Sequence, residues 1–218
     1  MTTQAGNPHE PAPASLSPDA SASADPQAAA PARQSLWRMK YNDLRELSKP
    51  RITRMVLITT FIGFVMADRE IYNAASILNT LKHNSWLLFW TLLGTALSCM
   101  GASVLNQVYE RDTDSLMNRT QSRPLPAGRV HLLSATILGL LFSIAGVGIL
   151  YGKVNMLTAA ISAFTIFSYV LLYTPLKRIN STSTLVGAVP GALPPVMGYT
   201  ALANEVGLLA GLLFGIMF

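Results

Sequence analysis

WLLFWTLLGTALSCMGASVL at 86–105 runs directly into NQVYERDTDSLMNRTQSRPLPAGR at 106–129. The first twenty residues carry no charge, whereas the next twenty-four carry three carboxylates and four arginines before a new apolar run starts at 132. About twenty apolar residues cross a bilayer as a helix. Residues 86–105 are therefore predicted to span, and 106–129 to lie just outside, where so dense a charge cluster asks for a function.

Outward from this stretch the pattern repeats. Apolar runs at 52–67, 132–151, 155–174 and 184–203 are each at or close to spanning length, and a sixth begins at 206 and has thirteen residues by 218. Half of the 218 residues are hydrophobic and 12% are charged, the balance of a membrane domain. Backbone amides in lipid must be satisfied within the segment, and unbroken apolar runs without alternation exclude a barrel. The fold class is thus all-α: a polytopic transmembrane helical bundle, five complete helices plus a partial sixth of a larger bundle, the chain expected to end inside a helix. Residues 1–34, rich in Ala, Pro and Ser, are expected to be a disordered tail. Residues 35–51 interleave Leu36, Trp37, Leu44 and Leu47 with Arg38, Lys40 and Arg45, as an interfacial helix or a basic flank does. Residues 52–218 form the transmembrane domain.

Of sixteen Lys and Arg residues, seven lie at 33–54, four at 111–129 and two at 177–178, all on one side of an alternating topology; Arg69, Lys82 and Lys153 fall on the other. The positive-inside rule makes the N-terminus cytoplasmic. It also puts 106–131 and 175–183 on one membrane face. The net charge of +5 sits where anionic headgroups attract it, and no nucleic acid is needed to explain it. No basic region followed by an apolar core opens the chain, nor an Arg-rich transit peptide, which favours a bacterial inner membrane over a mitochondrial one. Cys99, the single cysteine, reads as a small buried hydrophobe.

Chemistry concentrates at Asn106, Glu110 and Asp114. At four-residue spacing each step turns a helix by only about 40°, so the three share one face of a helical extension. Asp112 falls opposite unless a loop brings it back to join them. Magnesium takes oxygen ligands, commonly one or two carboxylates plus substrate phosphates. Arg111, Arg119, Arg123 and Arg129 follow, and guanidinium forks match phosphate. A solvated loop that pairs its own acids and arginines accounts equally for this spacing. Pro175 is expected to end the fourth helix, leaving Lys177 to hold an oxyanion and Tyr173 to donate from one turn away; a lysine snorkelling at a helix end is the simpler reading. Pro190, Pro194 and Pro195 are expected to break or kink the fifth helix, which suggests that it lines a pocket.

Asn106-x3-Glu110-x3-Asp114 followed by Asn118-Arg119-Thr120-x2-Arg123-Pro124-Leu125-Pro126-x-Gly128 resembles the first aspartate-rich motif of the intramembrane, UbiA-type aromatic prenyltransferases. Lys49-Pro50-Arg51, Tyr173-x3-Lys177-Arg178 and the Gly-Ala-Leu-Pro-Pro of 191–195 are similar to the protoheme IX farnesyltransferase (haem O synthase) branch, in the same order. The resemblance implies transfer of a farnesyl group from farnesyl diphosphate to a vinyl group of haem b, giving haem O for a haem A synthase or terminal oxidase. It implies Mg2+ held by Asn106, Glu110 and Asp114, with Asp112 as a further candidate. Diphosphate would meet Arg119, Arg123, Lys177, Tyr173 and Arg111, and a pocket of Phe, Met and Leu would hold the isoprenoid. Haem is expected as a passing substrate: His9, His83 and His131 are not placed as axial ligands. Glu110 stands where the superfamily more often has Asp, and the family's nine helices exceed those here, so 52–218 is expected to be an incomplete domain, inactive or poorly stable alone. A benzoate- or quinone-type acceptor and a non-catalytic membrane scaffold are the competing readings.

Overall fold

The computed structural model describes residues 40–72, 77–177 and 183–218. The expected tail at 1–34, the first residues of the basic segment and Arg178 lie outside them. Among the described residues the helices are α1 (Tyr41–Ser48), α2 (Pro50–Tyr72), α3 (Ile77–His83), α4 (Ser85–Ser115), α5 (Leu132–Lys153), α6 (Met156–Leu176), α7 (Ser183–Ala203) and α8 (Leu208–Met217), with no strand. Five of them, α2, α4, α5, α6 and α7, are long and apolar enough to cross a membrane, so the chain is an integral membrane protein with the all-α architecture its apolar runs predict. With ten residues, α8 falls short of a span.

The α1–α2 joint turns on one residue. Lys49 adopts a left-handed backbone with φ 45°, and Pro50 opens α2 where its missing N–H would have had no helical partner. The buried Leu47 anchors α1 against Val104, Leu125, Val130 and Ala135, and the Gln107 amide donates to the Leu47 carbonyl at 2.8 Å. At about 1.5 Å per residue the 31-residue α4 exceeds a hydrocarbon core of about 30 Å. Its end, 106–115, therefore projects from the apolar run as unbroken helix.

Both proline sites stay helical where a stop was one of the expectations. Pro190, Pro194 and Pro195 lie inside a continuous α7 and do not break it. Proline's fixed φ is itself helical, and close packing against α2 holds the segment. Pro175 does not end α6, which runs one residue further; a π-helical stretch, Ser168–Tyr173, precedes it and the Thr174 hydroxyl donates to the Tyr169 carbonyl at 2.8 Å.

Small residues set the helix contacts. A methyl added at Gly198 would overlap the Thr60 carbonyl of α2, and one at Gly146 of α5 would lie 2.6 Å from the Ser98 amide of α4. Without a hydrophobic force between helices in lipid, such close approach and interhelical hydrogen bonds carry the packing. Ser162 donates to Ser98 at 2.9 Å, Thr158 meets Thr200 at 3.0 Å, and Asn155, which caps α6, donates to the Thr200 carbonyl at 2.8 Å.

Gly198→Ala is expected to lower the midpoint of thermal unfolding in detergent by an overpacking cost of about 1–3 kcal/mol. Gly148→Ala, where an added methyl meets open space, should leave it unchanged.

Candidate functional site

The extension of α4 buries Asn106, Glu110 and Asp114, which are 2%, 8% and 5% exposed, on one face. Buried carboxylates need counter-charges, and three separate segments bring cations to this face, two onto the carboxylates and one onto Asn106. From the α1–α2 joint, Lys49 Nζ donates to Asn106 Oδ1 at 3.2 Å; from the end of α6, Lys177 Nζ donates to Glu110 Oε1 at 3.3 Å. From the loop after α4, Arg123 Nη1 pairs with Asp114 Oδ2 at 2.5 Å. The Asn106 amide donates to Thr174 Oγ1 at 3.0 Å, and the Thr120 hydroxyl to the Asp114 carbonyl at 2.9 Å.

The loop is itself fixed. Arg129 and Val130 both donate backbone N–H groups to the Pro124 carbonyl, Gly128 supplies a positive φ of 67°, and Leu125 is buried. The Arg129 guanidinium ties the loop to α1 through Asp43 at 2.7 Å and Glu46 at 2.6 Å.

Two carboxylates thus face three cations, leaving a positive surplus suited to an anion. Burial, and next the Arg123 guanidinium, push the Lys49 ammonium below the usual lysine pKa, while Glu110 and Asp114 pull it back. Among the described residues no three His, Cys, Asp or Glu side chains gather as a metal cluster. Two carboxylates and an amide on one face are nonetheless the oxygen donor set that a hard cation shares with a phosphate ligand.

Not every residue of the motif joins the ladder. Because α4 stays helical through Ser115, Asp112 lies on the exposed side, as do Arg111 and, in the loop, Arg119. Tyr173 stacks on Tyr169 with ring centroids 5.5 Å apart, and its ring lies against Gly187 of α7.

An apolar cavity of about 170 Å³ lies between α2, α4, α6 and α7, lined among others by Ile52, Cys99, Ser103, Tyr169, Pro190 and Met197. Ser103 precedes Asn106 by three residues, about 4.5 Å along the axis, so the ladder stands over the cavity. As predicted, α7 lines it with its glycines and prolines. The expected wall of Phe, Met and Leu is corrected: one methionine and no Phe or Leu contributes. Large side chains such as Phe89, Phe164 and Phe167 are exposed on the outer surface instead, since lipid is as apolar as a core and close helix contact requires small residues inside.

The model of the UbiA prenyltransferase family matches residues 56–218. The chain belongs to that family. It is 45% identical over 177 residues to a protoheme IX farnesyltransferase of Solibacter usitatus, covering 81% of this chain and 60% of the relative. Relatives of the same name from Aquifex aeolicus and Myxococcus xanthus are 41% identical over 173 residues and 40% over 177, each covering 56% of the relative. The chain spans 60% or less of the length of these relatives. No solved structure matches it significantly.

In this member of the family, Lys49 and Thr174 complete the ladder, and sequence reasoning assigned neither to it. The signal for Lys49 was its place in Lys-Pro-Arg on the same membrane face. Nothing local marks Thr174, whose hydroxyl reaches Asn106 only because α6 packs beside α4.

Arg123→Met is expected to cost about 3 kcal/mol of stability by stranding a buried carboxylate. Asp114→Asn combined with Arg123→Met should recover much of that loss, and a double-mutant cycle on unfolding in detergent measures it.

Proposed function

We propose that this chain carries the diphosphate site of an enzyme that transfers a farnesyl group from farnesyl diphosphate to a vinyl side chain of haem b, releasing diphosphate and giving haem O. The observation that carries this reading is the buried ladder with surplus positive charge standing over an apolar cavity. The relatives, protoheme IX farnesyltransferases by name, supply the acceptor and the isoprenoid.

In this mechanism Lys49, Arg123 and Lys177 bind the diphosphate oxygens, and their charge is most stabilising as the bond from isoprenoid C1 to oxygen breaks and negative charge builds on the leaving group. Mg2+, held by Asn106, Glu110 and Asp114, would supply further neutralisation of the diphosphate when bound. Arg111 and Arg119, exposed at the same end, add the positive potential that draws a polyanion in, and Tyr173 offers a hydroxyl donor near Lys177. The terminal vinyl carbon forms the new bond to C1. The cation left on the adjacent carbon takes a hydroxyl from water, whose proton passes to solvent. Until that step the walls of the cavity keep water from the allylic cation.

The excess of basic residues on the ladder's side supports a cytoplasmic site, and the bacterial relatives support the inner membrane. Haem O would pass from there to a haem A synthase or a terminal oxidase.

Haem extracted from membranes of a host lacking its own haem O activity tests the reading, with this chain expressed alone and fused to the C-terminal region of the Solibacter relative. Haem O is the expected product of the fused chain. Asp114→Asn and Glu110→Gln should each lower its yield about 100-fold at equal protein, the size of losing one preorganised charge contact. Prenylation of 4-hydroxybenzoate with haem untouched would overturn the haem assignment.

A further inference from the structure

We propose that a second pocket, next to the ladder, is a carboxylate-binding site that takes the propionate groups of the acceptor haem; this rests on the haem reading above. It has a volume of about 460 Å³ and is lined by Asn42, Arg45, Glu46, Lys49, Pro50 and Arg129. The two acids nearby, Asp43 and Glu46, are both committed to Arg129. Arg45, one turn before Lys49, is exposed and makes no ion pair with a described residue. Arg45 and Arg129 balance Asp43 and Glu46, and Lys49, shared with the ladder, is the one surplus cation of the two sites together; a guanidinium fork with an amide beside it suits a carboxylate.

Position connects this pocket to the reaction. Lys49 lines it while its Nζ touches Asn106, so a ligand in the pocket shares a wall with the ladder. Haem b is an apolar disc with two carboxylates at one edge. A carboxylate entering the membrane boundary needs a cation to replace its hydration, and Arg45 is a cation without an ionic partner among the described residues. A phospholipid phosphate is the other oxyanion at this depth, and it would gain nothing from proximity to the ladder.

The test uses the chain fused to the C-terminal region of the Solibacter relative, in phosphatidylcholine nanodiscs, titrated with haem b and with haem b dimethyl ester while the Soret band is followed. Haem b should bind more tightly than the ester by about tenfold, the size of one charge-assisted hydrogen bond. Arg45→Gln should bring haem b to the affinity of the ester and leave the ester unchanged, whereas Arg45→Lys should keep part of the difference. Affinity for a non-hydrolysable farnesyl diphosphate analogue should be the same in Arg45→Gln, which checks its fold. Equal binding of haem b and ester, or an Arg45→Gln chain that still distinguishes them, overturns the inference and leaves the haem reading standing. An effect of Arg45→Gln confined to discs containing phosphatidylglycerol assigns the pocket to a lipid headgroup and overturns it as well. Binding of the diphosphate analogue without either haem overturns the acceptor reading together with the inference.

Discussion

Desolvation of the acid face of α4 is the constraint on which this end of the molecule depends. Glu110 and Asp114 are buried carboxylates, and a charge withdrawn from water is tolerated only with partners. Their partners come from places far apart in the chain: Lys177 after α6 and Arg123 from the loop, with Lys49 from the α1–α2 joint on the neighbouring Asn106. Each delivery has a structural cost. The left-handed Lys49, the Arg129 clamp on α1 and the π-helical turn before Thr174 all lie on elements that bring a side chain to the ladder.

The cations do more than neutralise. Burial lowers the Lys49 pKa first and the Arg123 charge lowers it further against the pull of Glu110 and Asp114, and with three cations to two carboxylates the site is short of negative charge. An anionic ligand would relieve that shortage, and the same residues that stabilise the protein without ligand would then be the ones that hold it.

Below the ladder a different rule governs. Hydroxyls and glycines meet across α4, α5 and α6, with Leu105 and Leu150 seated against the glycines of the facing helix, because van der Waals contact and hydrogen bonds drive helix association in lipid. The consequence is a narrow cavity with a mixed wall of Ile, Pro, Ser and Thr beside Tyr169, while Phe89, Phe164 and Phe167 turn outward. Hydrophobicity along the sequence thus marks depth in the membrane and says little about which side chains face inward.

Much of this was legible in the residues. Apolar run length determined five spans to within a few residues at most ends, and the four-residue spacing of Asn106, Glu110 and Asp114 determined that they share a face, since both follow from the geometry of one helix. The end of α4 was less legible: its apolar run stops at Leu105, while the helix continues to Ser115 under the pull of contacts with α1 and α6. That continuation decides that Asp112 faces outward. Only the tertiary structure decided that Lys49 and Thr174 meet Asn106, that α7 stays helical through three prolines, and that small residues line the cavity. Those outcomes depend on which helices are neighbours and how closely they approach, and a sequence records periodicity within a helix but not distance between helices.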